Sequence, residues 1–152
     1  MHKLFAALDR IVIALWAGGQ WVVGFLVAPL LFKYAPDRQV AGDLAGVMFT
    51  AMAFLGLGCA LVLLIYRVAG DGVGTMRRPV FWVILLMAAL ILAGQFGVQP
   101  ILASLKEQAL PRQVMESVFR DRFATWHGVA SILYLVESVL AAALVLLNSR
   151  GR

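Results

Sequence analysis

Four long apolar stretches, separated by short clusters of charge, decide what this chain can fold into. No charged residue lies between Arg10 and Lys33, and none lies between Asp43 and Arg67. A helix that crosses the hydrocarbon core of a bilayer needs about 20 apolar residues, and each of the four stretches is long enough. The sequence therefore predicts an all-α membrane protein, a bundle of four antiparallel transmembrane helices in a single domain. The predicted spans are residues 11–32, 44–66, 79–102 and 126–147 of a domain over residues 1–152.

The composition excludes a soluble globule. The chain is 62% hydrophobic and 14% charged, with a mean hydropathy of +0.91, whereas soluble domains are about half apolar and about one quarter charged. A small globule must still cover its surface with polar atoms, so the apolar excess belongs in a bilayer. The net charge of +5 comes from basic residues that flank the spans. We therefore expect contact with membrane lipid and no nucleic acid.

The first apolar stretch could also be the core of a cleaved signal peptide, because His2, Lys3 and Arg10 precede it. The apolar core of a signal peptide spans about 7–15 residues. This stretch is longer and carries the polar Gln20 midway, so we expect it to be retained as the first transmembrane helix.

The positions of lysine and arginine predict which side of the membrane holds the termini. Four spans put both termini on one side, where seven basic residues crowd the helix ends, against six on the other side. Basic residues favour the cytoplasmic side, so we predict cytoplasmic N- and C-termini. The lack of targeting and glycosylation signals favours a bacterial inner membrane. The seven residues are Lys3, Arg10, Arg67, Arg77, Arg78, Arg150 and Arg152.

The segment between the third and fourth spans is the longest region predicted to lie outside the membrane. Pro111 suits the first turn of a helix, and apolar residues recur after it at helical spacing. We expect the third helix to continue past Pro100 to about Leu110 and the fourth to begin near Pro111. Helices 3 and 4 would then extend beyond the outer face of the membrane. An amphipathic helix that lies in the interface is the alternative.

Glu137 is the most informative polar residue, because it lies near the middle of the fourth span. A carboxylate in hydrocarbon is costly, and such residues usually face the bundle interior and mark function. No lysine or arginine lies inside any predicted span, so Glu137 is either the neutral acid or is hydrogen-bonded in a hydrated cavity. Its role is then either to hold helices together or to handle a proton or a cation.

Three glutamines complete a candidate polar interior. Gln20 lies near the middle of the first span, at a depth similar to that of Glu137, and Gln95 and Gln99 lie one turn apart on the third span. An amide in lipid needs hydrogen-bond partners, which neighbouring helices can supply. These side chains are predicted either to link helices or to form a polar pathway from Gln99 through Gln95 towards Glu137 and Gln20.

His127, beside Trp126 at the outer end of the fourth span, is the other candidate binding residue. A histidine there can bind a metal or haem or respond to pH, or it can simply lie in the aromatic belt of the interface. The lone Cys59 and the scattered methionines offer it no ligand set, so we expect no metal site. Nucleotide-binding loops and hydrolase motifs are absent from the sequence, and no catalytic residue is predicted.

Small residues and prolines predict how the helices pack. Gly42 and Gly46 form a small-xxx-small pair at the start of the second span, and Gly18 has the same spacing to a preceding alanine. Such pairs let helix backbones approach closely, either within one chain or between copies. Pro29 and Pro100 near the ends of the first and third spans suggest two related hairpins. Besides lipid, the predicted partner is a second copy of the chain or another membrane protein.

The order of aromatic and small residues along the chain resembles that of a known family. A Trp-x-Gly start and an Ala-Pro end mark the first span, an Ala-Gly pair opens the second, and a Phe–His–Ser series opens the fourth. In this pattern the chain resembles the transmembrane-protein-205-like family (domain of unknown function 4149), which is distantly similar to copper-resistance-D-like membrane proteins. The residues that carry the resemblance are Trp16, Gly18, Pro29, Phe32, Ala41, Gly42, Gly46, Phe49, Arg122, Phe123, His127 and Ser131.

The resemblance implies a four-helix membrane bundle without an assigned activity. The distant relatives use membrane histidines to hold copper or haem, and the first three predicted spans of this chain contain none. We therefore expect no cofactor, with haem or copper as the alternative. The predicted function is that of a structural or accessory membrane protein with a polar bundle interior, not an enzyme. The alternatives are a small transporter or metal- or ion-handling protein that uses Glu137 and the glutamines, and a haem-binding membrane oxidoreductase.

Overall fold

The computed structural model describes residues 2–110 and 112–150, and this part of the chain contains helices and no strand. Two residues on which predictions depended, Pro111 and Arg152, lie outside the described residues. Six α-helices follow one another, and two of the junctions between them are π-helical turns. The helices are α1 (His2–Trp21), α2 (Ala28–Tyr34), α3 (Arg38–Asp71), α4 (Pro79–Leu92), α5 (Gln99–Ala109) and α6 (Arg120–Arg150).

Within the described residues, four helical stretches are long and apolar enough to cross a membrane. This finding confirms the predicted fold class, and the chain is a multi-pass membrane protein. The first stretch combines α1 and α2, and the third combines α4 and α5, because the π turns continue the helix without a break. We call the stretches spans 1 to 4: Ala7–Tyr34, Arg38–Gly70, Pro79–Ala109 and Arg120–Ser149.

The spans form a closed ring, in which each span contacts the next along the chain and span 4 contacts span 1. Short connections make consecutive spans antiparallel. One end of the bundle, which we call the terminal end, holds the start of span 1, the end of span 4 and the connection between spans 2 and 3. The opposite end, which we call the hairpin end, holds the other two connections.

The tightest packing surrounds Trp16 of span 1, whose side chain is only 1% exposed. A Cβ atom on Gly56 of span 2 would lie 2.8 Å from both the Trp16 indole nitrogen and Ile91 Cδ1 of span 3. The missing side chain at Gly56 therefore lets three spans meet around one indole. Large apolar side chains cover the outside of all four spans, as a hydrocarbon solvent requires. The buried cluster comprises Ile13, Trp16, Ala17, Cys59, Ala60, Leu63, Val80, Ile84, Met87, Ile91, Ala141 and Leu144.

The connection between spans 2 and 3 reverses the chain at Gly72. Its φ of 56° lies in the left-handed region that glycine adopts without strain. A 3-10 turn, Gly72–Arg77, follows, and Pro79 occupies the first position of the next helix, where its missing N–H costs no hydrogen bond. Trp82 Nε1 donates to the carbonyl oxygen of Met76 over 2.9 Å and ties the turn to the start of span 3.

The fourth helix begins at Arg120, so the prediction that it begins near Pro111 was wrong. The third helix ends at Ala109, and Leu110 follows it with a ψ of 144°, which no longer continues the helix. Between the two helices the described chain contains a 3-10 turn, Val114–Glu116.

Ser117 gives the physical reason for the late start of span 4. Its backbone is extended, with φ −102° and ψ 170°. The Ser117 hydroxyl donates to the Val114 carbonyl oxygen over 2.8 Å and accepts from the Phe119 N–H over 3.1 Å. Such local bonds between side chain and backbone compete with helix formation, a preference that helical spacing of apolar residues does not reveal.

Spans 1 and 3 each contain a six-residue π turn, Val22–Val27 and Ala93–Val98. In both, the backbone N–H that follows the turn donates to the carbonyl five residues earlier. Pro29 and Pro100 each lie two residues after the last residue of the π turn, at the second position of the following helix. Proline has no N–H, and its ring crowds the carbonyl four residues earlier, so a wider turn ahead of it relieves the clash.

Candidate functional site

The polar side chains of the bundle interior meet where spans 1 and 4 touch at mid-depth. Gln20 lies at the middle of span 1, and Glu137 lies close to the middle of span 4. Their exposed fractions are 2% and 8%, and Gln20 Nε2 donates to Glu137 Oε2 over 3.3 Å. The structure thus pairs the two candidate residues that the sequence placed at a similar depth.

Tyr134 crosses from span 4 to span 1 one helical turn before Glu137. Its hydroxyl donates to the main-chain oxygen of Gln20. Its ring packs edge-on against Phe49 of span 2, with ring centroids 4.9 Å apart at an interplanar angle of 73°. A Cβ atom on Gly24 would collide with the Tyr134 ring. Glycine in the π turn of span 1 therefore makes the room into which the phenol fits.

Trp21 and Ser138 add a third link between the same two spans. Trp21 Nε1 donates to the Ser138 carbonyl oxygen over 3.1 Å. The Ser138 hydroxyl donates to the Tyr134 carbonyl oxygen over 2.8 Å, so it is satisfied within its own helix. We call this arrangement the polar seam, and it consists of Gln20, Trp21 and Gly24 of span 1 with Tyr134, Glu137 and Ser138 of span 4.

The carboxyl group of Glu137 is not part of an ion pair among the described residues. A charged network lies instead at the terminal end, where Arg67 Nη2 donates to Asp9 Oδ1 over 2.9 Å and to Asn148 Oδ1 over 3.1 Å. On span 4, Asn148 follows Glu137 by eleven residues, which is roughly 16 Å along the helix axis. The chemistry of the polar seam is therefore that of a carboxyl group and an amide, without a neutralising cation.

Gln95 and Gln99 do not join the polar seam. Both are partly buried on span 3, and no described residue forms a hydrogen bond with either amide. Hydrogen bonds between described side chains do not connect Gln99 and Gln95 to Glu137 and Gln20. The structure thus separates the predicted polar interior into a bonded pair and two further amides.

His127 lies on the exposed surface near the hairpin end of span 4. Its ring stacks on Phe123, with ring centroids 5.9 Å apart at an angle of 11°. In the part of the chain that the structure describes, no group of three histidine, cysteine or carboxylate side chains is placed to hold a metal ion. The position of His127 beside an aromatic ring near a span end is typical of an interfacial residue.

The predicted packing glycines do not form close contacts within the chain. A Cβ atom on Gly18, Gly42 or Gly46 would meet no atom of a neighbouring segment within 4 Å. The described glycines that side chains of other spans approach within 3.2 Å of an added Cβ are Gly19, Gly24 and Gly56. Within the chain these three positions, Gly18, Gly42 and Gly46, therefore have open space beside them, where an added Cβ would meet no neighbouring span. Contact at these positions between copies stays a prediction.

Sequence reasoning missed Trp21, Gly24, Tyr134 and Ser138 as parts of the site. One signal could have identified two of them, since Tyr134 and Ser138 flank Glu137 on span 4 at distances of three residues and one residue. Trp21 had no such signal, because its partner is a main-chain carbonyl, which every residue carries.

Two surface grooves lie at the hairpin end, away from the polar seam. One, of about 440 Å³, is lined by residues that include Gln108, Arg112 and Glu116. The other, of about 370 Å³, is lined mainly by apolar residues between Val27 and Leu44. Neither groove includes any of the predicted interior residues.

Comparison with known proteins gives one match. Residues 11–111 match the family model described as a domain of unknown function (DUF4149). The matched region is about two thirds of the chain and contains most of spans 1 to 3, whereas span 4, with Glu137 and Tyr134, lies beyond it. Neither the search of curated proteins nor the search of solved structures gives a match.

Proposed function

The chain belongs to the DUF4149 family, and we propose that it is a small structural or accessory membrane protein whose polar interior holds its helices together. Three hydrogen bonds between spans 1 and 4 support this proposal, from Gln20, Trp21 and Tyr134. Apolar side chains gain little from leaving lipid for one another, so helix association depends on packing and on such interhelical bonds. The polar seam places them at mid-depth, where water competes least.

The membrane and its orientation are part of the same proposal. We place the protein in a bacterial inner membrane with both termini in the cytoplasm. Exposed Arg10, Arg77 and Arg78 at the terminal end of the bundle support this orientation. Kinship with the transmembrane-protein-205-like proteins and with the copper-resistance-D-like proteins stays a prediction, and no residue role is taken from either.

Replacement of Glu137 by leucine and by glutamine tests the structural role. Glu137→Leu removes the acceptor of the Gln20 amide and leaves that amide unpaired in the interior, so we expect the free energy of unfolding to fall by about 1–3 kcal/mol. Glu137→Gln retains an acceptor of the same reach, so we expect a change within about 0.5 kcal/mol. Unfolding in mixed micelles, followed by helix content and tryptophan fluorescence, measures both changes.

Val139→Leu is the matched control, because Val139 is on the same span and is 63% exposed. The control should leave the free energy of unfolding unchanged. Equal stability of wild type, Glu137→Leu and Val139→Leu would contradict a structural role for the polar seam.

A second candidate function is the handling of a proton or a small cation by Glu137. The observation that favours it is the weak binding of the carboxyl group by the described residues, from which it receives one long hydrogen bond, 3.3 Å from Gln20 Nε2, and no ion pair. A carboxyl group held in this way at mid-depth can accept and release a proton. If it does so, Glu137→Gln would retain wild-type stability but abolish proton or cation flux into vesicles that contain the purified protein. Wild-type vesicles without any flux would exclude this candidate.

A further inference from the structure

Gln95 of span 3 and Gln20 of span 1 lie at similar depth, but among the described residues only Gln20 has a hydrogen-bond partner for its side chain. Gln95 lies next to the middle of span 3, as Gln20 lies at the middle of span 1. The Gln20 side chain donates to Glu137, whereas no described residue bonds to the amide of Gln95 or to that of Gln99 one turn away. Both amides are partly exposed at the surface of the bundle. The polar surface of span 3 is therefore left open by the chain itself.

An open amide at this depth carries a physical cost. Hydrocarbon offers neither donors nor acceptors, so an unbonded amide there costs about 1–3 kcal/mol or more. Glutamine has two N–H donors and one carbonyl acceptor, and all of these groups gain from a polar partner outside the chain. Lipid tails do not provide one, but another transmembrane helix can.

The surroundings of the amides form a strip that a second helix can cover. In the wider π turn, residues four apart lie on nearly the same side of the helix, which places Gln95 with Gln99 and, in the row beside them, Leu92 with Phe96. Leu92 is 46% exposed and Phe96 is 61% exposed. The strip contains no charged residue. It consists of two amides with large apolar side chains beside them. We call it the amide strip.

We propose that two copies of this chain associate through the amide strip of span 3, with the amides of one copy bonded to those of the other. A second copy is the partner that the chemistry of the strip favours. A primary amide is both a donor and an acceptor, so it can pair with another primary amide. A symmetric dimer brings the same patch of each copy into contact, which is the arrangement that self-complementary groups satisfy. A partner with a charged side chain would find no opposite charge on the strip.

Disulfide formation between single cysteines tests the placement of the interface. The only native cysteine, Cys59, is buried and is replaced by alanine to give a cysteine-free background. Leu92→Cys puts a thiol on the amide strip, and Leu135→Cys puts one on the exposed surface of span 4, as the matched control. In vesicles of phosphatidylcholine and phosphatidylglycerol, a membrane-permeant oxidant should link copies through Leu92→Cys at least about tenfold faster, because the two Cα atoms must come within about 7 Å.

Energy transfer between labelled full-length chains in the same vesicles tests the role of the amide. We expect dimerisation of the wild type to depend on the protein-to-lipid ratio. Gln95→Leu should weaken it by about 3-fold to 20-fold, the effect of losing one intramembrane hydrogen bond, and Gln95→Asn should recover part of it.

Three results would overturn the proposal. The first is a monomer at all protein-to-lipid ratios, and the second is equal cross-linking at the two positions. The third is a dimer that Gln95→Leu leaves as tight as before, as expected if a different surface or another protein is the partner. If Gln95→Leu fails to fold, the cysteine pair still decides, because it retains the native glutamines. The inference does not depend on the polar seam, so a failed Glu137 test would leave it standing.

Discussion

The two π turns of the bundle are built alike and completed differently. They begin 71 residues apart, at Val22 and Ala93, each has six residues, and each stands in the same relation to a following proline. The third residue is Gly24 in the first turn and Gln95 in the second. The third position of the π turn therefore has no side chain in span 1 and a polar side chain in span 3.

The two turns also differ in their contacts with other spans. We call a π turn closed when a side chain of another span packs into it and forms a hydrogen bond with its span. At Gly24 the ring of Tyr134 enters the space, and its hydroxyl bonds to the Gln20 carbonyl. At the same position of the second turn lies the side-chain amide of Gln95, and no described residue forms a hydrogen bond with it. Both turns precede a proline, but only the turn that contains Gly24 receives a polar side chain from another span among the described residues.

Gly24→Ala should produce the largest effect, because it breaks the closed turn directly. The added Cβ would collide with the Tyr134 ring, so the ring must move and its hydroxyl must leave the Gln20 carbonyl. We expect the free energy of unfolding to fall by about 1–3 kcal/mol, the usual cost of overpacking an interior. Unfolding in mixed micelles measures the change.

Gly18→Ala is the matched control on the same span, since a Cβ there meets nothing within 4 Å. It should not destabilise the protein, because alanine also favours the helix. The double variant Gly24→Ala with Tyr134→Ala should lose less than the sum of the single losses, as expected for residues in contact. Equal effects of Gly18→Ala and Gly24→Ala would show that the phenol does not close the turn.

The closed turn also shows what the sequence could and could not reveal. The four spans were predictable because hydrocarbon selects helices by length and apolarity, properties that each stretch carries by itself. The shared depth of Gln20 and Glu137 was predictable too, because depth follows from the rise per residue. Which faces adjoin depends on the packing of all four spans, and this is why Gln95 and Gln99 were expected in the same interior as Gln20.

The glycines illustrate the same limit. Small-xxx-small spacing occurs at Gly42 with Gly46, which the chain leaves open, and also at Gly24 with Ala28, where Tyr134 enters. The spacing permits close approach, but only the neighbouring span decides which pair is used. A rule that reads one helix at a time cannot distinguish the two cases.

Tyr134→Phe sharpens the comparison by removing only the hydrogen bond of the closed turn. Phenylalanine retains the ring that packs against Phe49, so the loss should be that of one bond within the membrane, about 0.6–1.7 kcal/mol. Tyr34→Phe, at a position that is 72% exposed, is the matched control and should leave stability unchanged. An unchanged free energy of unfolding for Tyr134→Phe would mean that the turn is closed by ring packing alone.

Gln95→Leu should produce the smallest loss of stability, provided that the protein is dilute enough in the micelles to be monomeric. No described residue bonds to the Gln95 amide, so its removal takes no intrachain hydrogen bond away, and the free energy of unfolding should not fall by more than about 0.5 kcal/mol. Gln20→Leu is the counterpart in span 1, and it should destabilise the monomer by about 1–3 kcal/mol because it leaves the carboxyl group of Glu137 unpaired. A loss at Gln95 as large as that at Gln20 would mean that the second turn is also closed within the chain, and the contrast between the two turns would then have no energetic basis.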